Sequence, residues 1–133
     1  WVVGHVSRLA PEKNLEFLTR AVCRFLEGRE DACFLVVGDG PCRADMEKAA
    51  RERGLGDRVC FAGKLEGREL VDAYHAMDVF AFASKSETQG MVLVEAMAAG
   101  APVAALDAPG VRDVVAKELV EFAAERLLLA VLA

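Results

Sequence analysis

Cysteine pairs at metal-binding spacing are missing from this chain. Its four cysteines, Cys23, Cys33, Cys42 and Cys60, fall 10, 9 and 18 residues apart, so no Cys-x-x-Cys exists. No Cys/His ligand spacing appears either. Buried, reduced thiols are the expected state, which points to a cytosolic compartment. Only two histidines are present, His5 and His75. Neither is placed to build a Ser-His-Asp or Cys-His arrangement. His5 is expected to be a packed core residue at a strand end, and His75 a structural residue on a helix. The dinucleotide fingerprint Gly-x-Gly-x-x-Gly does not follow the first strand. Excess positive charge is lacking too. A net charge of −5 offers no global attraction for nucleic acid or anionic lipid, although basic residues can still cluster locally. No internal repeat or low-complexity tract stands out. The apolar tail Leu127–Ala133 is too short to span a membrane, and Glu121, Glu125 and Arg126 lie too close to it. No signal peptide is recognised. The chain opens at Trp1-Val2-Val3, which already reads as the inside of a strand, so an unseen N-terminal part is expected.

What is present describes a globular chain. Its 133 residues are 54% hydrophobic and 28% charged, which suits one domain with a single core. Strand-length apolar runs alternate with helix-period segments. Strands are predicted at 1–6, 32–37, 59–62, 78–83 and 102–106. Helices are predicted at 11–28, 43–53, 68–77 and 91–99, with a last one from Lys117 to Ala133. In the first helix Leu15, Leu18, Val22 and Phe25 recur at three- and four-residue steps, with Asn14 as N-cap and Gly28 as C-cap. Four β-α units and a closing strand predict an α/β fold, a Rossmann-like parallel sheet with helices on both faces. Right-handed crossovers then bring every strand's carboxyl end to one edge, where such sheets bind ligands.

The unusual polar residues fall at that edge. Seven residues separate Glu87 from Glu95 in Ser86-Glu87-Thr88-Gln89-Gly90-Met91-Val92-Leu93-Val94-Glu95. Glu95 lies inside an apolar helix, where a carboxylate needs a partner. A polar ligand would serve, and so would an arginine or lysine. Glu87 opens that helix, and its alternative is an N-terminal acid favoured by the helix dipole. Free N–H groups at the helix start suit anionic oxygens, and Gly90 permits close approach. Arg8 and Lys13 flank the passage from strand one to helix one. Two cations there oppose the helix dipole but suit a diphosphate. Their alternative is plain surface charge, with Lys13 paired to Glu12 or Glu16. Gly38-Asp39-Gly40 reads as a tight turn after strand two.

These segments resemble a known family. Ser7 to Asn14, Val36 to Pro41, Phe61-Ala62-Gly63 and Glu87 to Pro102 are similar to the C-terminal donor-binding domain of family-4 retaining glycosyltransferases of GT-B fold. The likeness runs from Trp1 to about Val115, and the Glu-x7-Glu block is its most specific part. The resemblance implies a nucleotide-diphospho-sugar site across residues 1–133. Arg8 and Lys13 would bind the diphosphate and stabilise the leaving nucleoside diphosphate. Glu95 would bind ribose hydroxyls and Glu87 the donor sugar. Gly90, Met91 and Val92 would contact sugar and phosphate, and the base would lie near Gly63, Lys64 and Leu65. Arg8, Lys13 and Glu87 are thus the catalytic candidates. The implied reaction is metal-independent, uses no cofactor, and retains the anomeric configuration. The Glu-Thr-Gln-Gly variant resembles members acting on lipid acceptors, which would place the enzyme at the inner face of a membrane. A polysaccharide acceptor is the other expectation.

Two departures bear on this picture. The acceptor-binding N-terminal domain that the resemblance implies, with its active-site histidine, is expected to lie outside this sequence. Past Val115 the family's Asp-Gly-x-Asn-Gly-type turn gives way directly to Lys117-Glu118-Leu119, so residues 115–133 are atypical. Two alternatives stay open: a nucleotide-sugar epimerase-like GT-B domain, and a non-catalytic regulatory or protein-interaction module.

Overall fold

A computed structural model describes residues 1–85 and 91–112. Five strands form one sheet: β1 (Val2–Val6), β2 (Cys33–Val37), β3 (Val59–Gly63), β4 (Val79–Phe82) and β5 (Val103–Ala105). All four pairings are parallel, and the spatial order is β3-β2-β1-β4-β5. The helices between them are α1 (Leu15–Glu27), α2 (Arg43–Glu52), α3 (Gly67–Ala76) and α4 (Met91–Ala98), followed by the short α5 (Pro109–Arg112). A 3-10 helix, Pro11–Lys13, leads into α1. The expected Rossmann-like α/β architecture is therefore what this chain adopts.

The strands alternate between two cores. Val3, Phe34, Val36, Val79, Ala81 and Ala104 pack with the apolar stripes of α1 and α2. Val6, Val37, Phe80, Phe82, Val103 and Ala105 pack with α3 and α4. A strand buried on both faces must be apolar at successive positions, which is why Cys33–Val37 and Val79–Phe82 read as continuous runs. Gly4 belongs to the same logic, because a Cβ there would overlap the Met77 side chain.

Several local expectations change. Only Cys23 is buried; Cys33 and Cys42 are half-buried and Cys60 is exposed, all four as free thiols. Cys60 sits on edge strand β3, where one face of the sheet is uncovered. His75, expected to be structural, lies exposed on α3. Asn14 occupies the N-cap position of α1 but makes no side-chain cap. The region around residue 115 and the tail 117–133 lie outside the described residues, as do Ser86 to Gly90.

Candidate functional site

Strand order reverses direction at β1, where β2 follows on one side and β4 on the other. Crossover connections leave that point in opposite directions, so a crevice opens above the carboxyl ends of β1 and β4. Ser7 and Arg8 emerge from β1 there, and Ala83 to Lys85 from β4.

Main chain holds the β1 side of the crevice. The Ser7 N–H donates to the Val37 carbonyl at 3.1 Å, the Leu9 N–H to Asp39 at 2.9 Å, and the Cys42 N–H to Leu9 at 2.8 Å. The loops after β1 and β2 are thus laced together. Gly38 and Gly40 take φ values of +127° and +154°, and a Cβ on either would overlap the carbonyl oxygen of Ser7 or Leu9. The Gly-Asp-Gly turn is therefore a seat for the loop carrying Arg8. Sequence reading saw a tight turn and missed this contact; the signal was two glycines flanking one residue opposite a polar loop. Arg8 itself is exposed, while its neighbours Leu9 and Ala10 are buried anchors. Lys13 closes the 3-10 helix and is half-buried. Glu16, one of its expected partners, lies 3.9 Å from Arg20.

A buried histidine stitches β1 to β4. His5 is fully buried; its Nδ1 lies 2.8 Å from the Ala81 carbonyl and its Nε2 2.7 Å from Ser7 Oγ. Phe80 and Phe82 stack on its ring at 6.1 Å. Burial pushes its pKa down to about 4 against the opposing pull of the Ala81 carbonyl, and the nearby Lys13 ammonium adds to the fall. A neutral histidine locked in this way is a structural bolt, as the sequence reading expected.

Asn14 links the two sides directly. Its backbone is left-handed, φ 55° and ψ 42°, and its Nδ2 donates to the Ala83 carbonyl at 3.1 Å. The Ser84 hydroxyl reaches the Glu12 carbonyl at 3.5 Å. The segment carrying Lys13 is thereby tied to the exit of β4.

The acidic side is built on α4. Glu95 is half-buried, and its Oε2 accepts a hydrogen bond from the Tyr74 hydroxyl at 2.7 Å. Neither an arginine nor a lysine pairs with it among the described residues, so the ion-pair alternative is replaced by this tyrosine. Helical spacing places Tyr74 on the apolar stripe of α3 with Leu70, Ala73 and Met77. Being the chain's single tyrosine, its hydroxyl on that stripe was the available signal, since a buried phenol needs a partner. Of the other candidates, Met91 is exposed and Val92 half-buried at the start of α4. Leu65 is half-buried beside the α3/α4 core, just after the Gly63 carbonyl that accepts from the Gly38 N–H at 2.8 Å. Glu87 and Gly90 lie outside the described residues.

A groove of about 690 Å³ runs between α1 and α2, lined by Pro11, Asn14, Thr19, Cys42, Met46 and Arg53 among others. It contains neither Arg8 nor Glu95. No cluster of three metal-ligating side chains occurs among the described residues. No helix among them is long and apolar enough to cross a membrane.

A five-stranded parallel sheet with a cation-bearing loop after β1 and an acid-bearing helix after β4 defines an α/β domain of Rossmann-like type. Residues 1–126 match the family described as Glycosyl transferases group 1, and the chain belongs to that family. It is 46% identical over 116 residues to 2-deoxystreptamine glucosyltransferase of Streptomyces kanamyceticus, covering 87% of this chain and 30% of the relative. It is 41% identical to a GDP-mannose-dependent alpha-mannosyltransferase of Mycolicibacterium smegmatis, covering 86% of this chain and 28% of that one. Among solved structures, Anabaena HepE in complex with UDP and glucose superposes with a TM-score of 0.77 at 29% identity, over 96% of this chain and 38% of HepE. The pneumococcal O-GlcNAc transferase GtfA, with a TM-score of 0.79 at 24% identity, shares the fold. The chain spans about a third of the length of these relatives.

Proposed function

We propose that this chain is the donor-binding domain of a GT-B glycosyltransferase, and that a nucleoside diphosphate sugar lies across the carboxyl edge of its sheet. One observation carries the reading. The Arg8–Lys13 segment follows β1 and the acid-bearing α4 follows β4 at the same edge of the sheet, and the Asn14–Ala83 hydrogen bond ties that segment to the exit of β4. Cations on one side and a carboxylate on the other suit a ligand with an anionic middle and hydroxyl-rich ends. Arg8 and Lys13 hold the diphosphate and neutralise the charge that grows on it as the glycosidic bond breaks. Glu95 accepts from ribose hydroxyls, Glu87 from the donor sugar, and the main chain of Gly90, Met91 and Val92 faces the phosphates. The base lies beside Leu65. The cations take the part a metal plays elsewhere, and the sugar is transferred with retention. A second domain supplies the acceptor, a lipid or a polysaccharide, because transfer requires both reactants held in register. HepE bound to UDP and glucose supports this placement, as does the GDP-mannose-dependent relative.

Calorimetric titration of the chain with UDP and GDP tests the reading. At least one should bind, and Arg8→Ala should weaken it about tenfold or more, the loss of one charge-assisted contact to phosphate. Arg8 is exposed, so the variant should keep the parent melting temperature. Absence of binding by both nucleotides to a folded chain would favour a regulatory module instead.

A further inference from the structure

We infer that Tyr74 is a positioning residue that holds the Glu95 carboxylate in the orientation that receives ribose hydroxyls. The inference rests on the donor-binding reading above and names a further residue of the same site.

Helix geometry places the pair. Both α3 and α4 begin at the ligand edge and run away from it, because each connects the carboxyl end of one strand to the amino end of the next. Helical side chains lean toward their own N-terminus. Tyr74, in the later half of α3, and Glu95, in the second turn of α4, therefore both lean back toward the edge. The tyrosine ring has little freedom: it is 3% exposed, lies 6.0 Å from the Phe80 ring, and shares its core with Met77, Leu93 and Ala96. A fixed ring fixes its hydroxyl, which reaches Glu95 Oε2 at 2.7 Å.

Chemistry sets the direction of this bond. An ionised carboxylate only accepts, so the tyrosine donates. Burial, the bond to Glu95 and the negative charge of Glu95 all raise the phenol pKa, so it stays a donor throughout the neutral range. One carboxylate oxygen is thus occupied, and no other side-chain hydrogen bond of Glu95 occurs among the described residues. Its Oε1 keeps its acceptor capacity for two vicinal hydroxyls. A glutamate has three side-chain torsions to freeze on binding, and a partner that freezes them beforehand strengthens binding without touching the ligand. A tyrosine whose hydroxyl merely found an acceptor would strengthen the fold and leave ligand selectivity alone.

The test measures how strongly the chain distinguishes UDP from 2′,3′-dideoxy-UDP, or GDP from its dideoxy form where GDP binds more tightly. The parent, Tyr74→Phe, Glu95→Gln and the double variant are titrated, and circular dichroism checks each fold. Tyr74→Phe should cut the ribose/dideoxyribose preference about fivefold while leaving affinity for the dideoxy nucleotide unchanged. Glu95→Gln should bring the preference close to one, and the double variant should match Glu95→Gln alone. If Glu95→Gln abolishes the preference and Tyr74→Phe leaves it intact, the positioning role is wrong and the donor-binding reading stands. Additive losses in the double variant would likewise overturn the positioning role. If Glu95→Gln leaves the preference untouched, or neither nucleotide binds the folded parent, the reading of Glu95 fails and this inference with it.

Discussion

The two sides of the crevice are held by different means. On the cation side, the loop carrying Arg8 is seated by main-chain hydrogen bonds from Ser7, Leu9 and Cys42 against the Gly38-Asp39-Gly40 turn. On the acid side, Glu95 is oriented by one side chain, Tyr74. Under the donor-binding proposal the difference follows from what each side would do. A diphosphate is met by a loop and a helix end, so backbone position decides the outcome, and glycine is what allows two backbones to meet. Hydroxyl recognition is set by where a carboxylate points, and a rigid aromatic donor settles that. Changes to the glycine seat beneath the cation loop should therefore act first on the fold, and changes to the Tyr74–Glu95 pair first on selectivity.

The sharpest way to break the comparison is Gly38→Ala. The new Cβ would overlap the Ser7 carbonyl oxygen at a φ of +127°, where L residues are strained. The clash is with backbone, which cannot swing aside, so a loss of about 3 kcal/mol or more is expected in urea unfolding. A loss under about 1 kcal/mol would mean the seat is not rigid. His5 tests the seam between the two sides, and its sign can be worked out. Its folded pKa of about 4 lies below the ordinary value of 6.5. The unfolded chain therefore takes up the proton first as pH falls. Stability from this group is whole above pH 6.5, declines between 6.5 and 4, and changes no further below that. The full decline is about 3 kcal/mol. Carboxylates titrate in the lower part of this window, so the measurement is a difference: unfolding free energy against pH for the parent less that for His5→Gln. The difference should shrink as pH drops through this range, and a constant difference would show that the buried imidazole is not protonated on unfolding.

The same contrast explains what could be read from residues alone. The sheet was legible because runs such as Val79–Phe82, buried on both faces, and the stripe through Leu15, Leu18 and Val22 announce their period without help. Arg8, Lys13 and Glu95 were legible as candidates because each is out of place for stability alone. What holds the segments that carry them was not. The seat at Gly38 and Gly40 depends on a loop about thirty residues earlier in the chain. The Tyr74–Glu95 bond spans 21 residues between two helices. Periodicity reports which face a residue occupies, not which partner stands opposite, so long-range hydrogen bonds stay hidden. Asn14 shows the limit well: its sequence position matches an N-cap, yet its amide serves β4 instead of α1.

Asn14 is also where the two modes of construction meet, and it gives the finest test. Its backbone conformation turns the Lys13 segment into α1, while its side chain reaches across to Ala83. Asn14→Ala removes both, costing about 1 kcal/mol for the left-handed conformation and about 1 kcal/mol for the hydrogen bond. Glycine accepts the conformation readily, so Asn14→Gly should lose only about half as much. Aspartate tolerates the same backbone but presents an acceptor to the Ala83 carbonyl, so Asn14→Asp isolates the tie itself. The expected order of urea midpoints is parent, then glycine, then alanine, with aspartate well below the parent. If aspartate matches the parent, the amide does not hold the two sides together, and the crevice must be closed by the β1–β4 pairing alone. If glycine and alanine lose equally, the tie carries the whole effect and the left-handed backbone is incidental. In either case the nucleotide affinity of Asn14→Gly is the more telling number. With Arg8, Lys13 and Glu95 unchanged, any weakening there measures how much the ligand depends on the two sides being held in register.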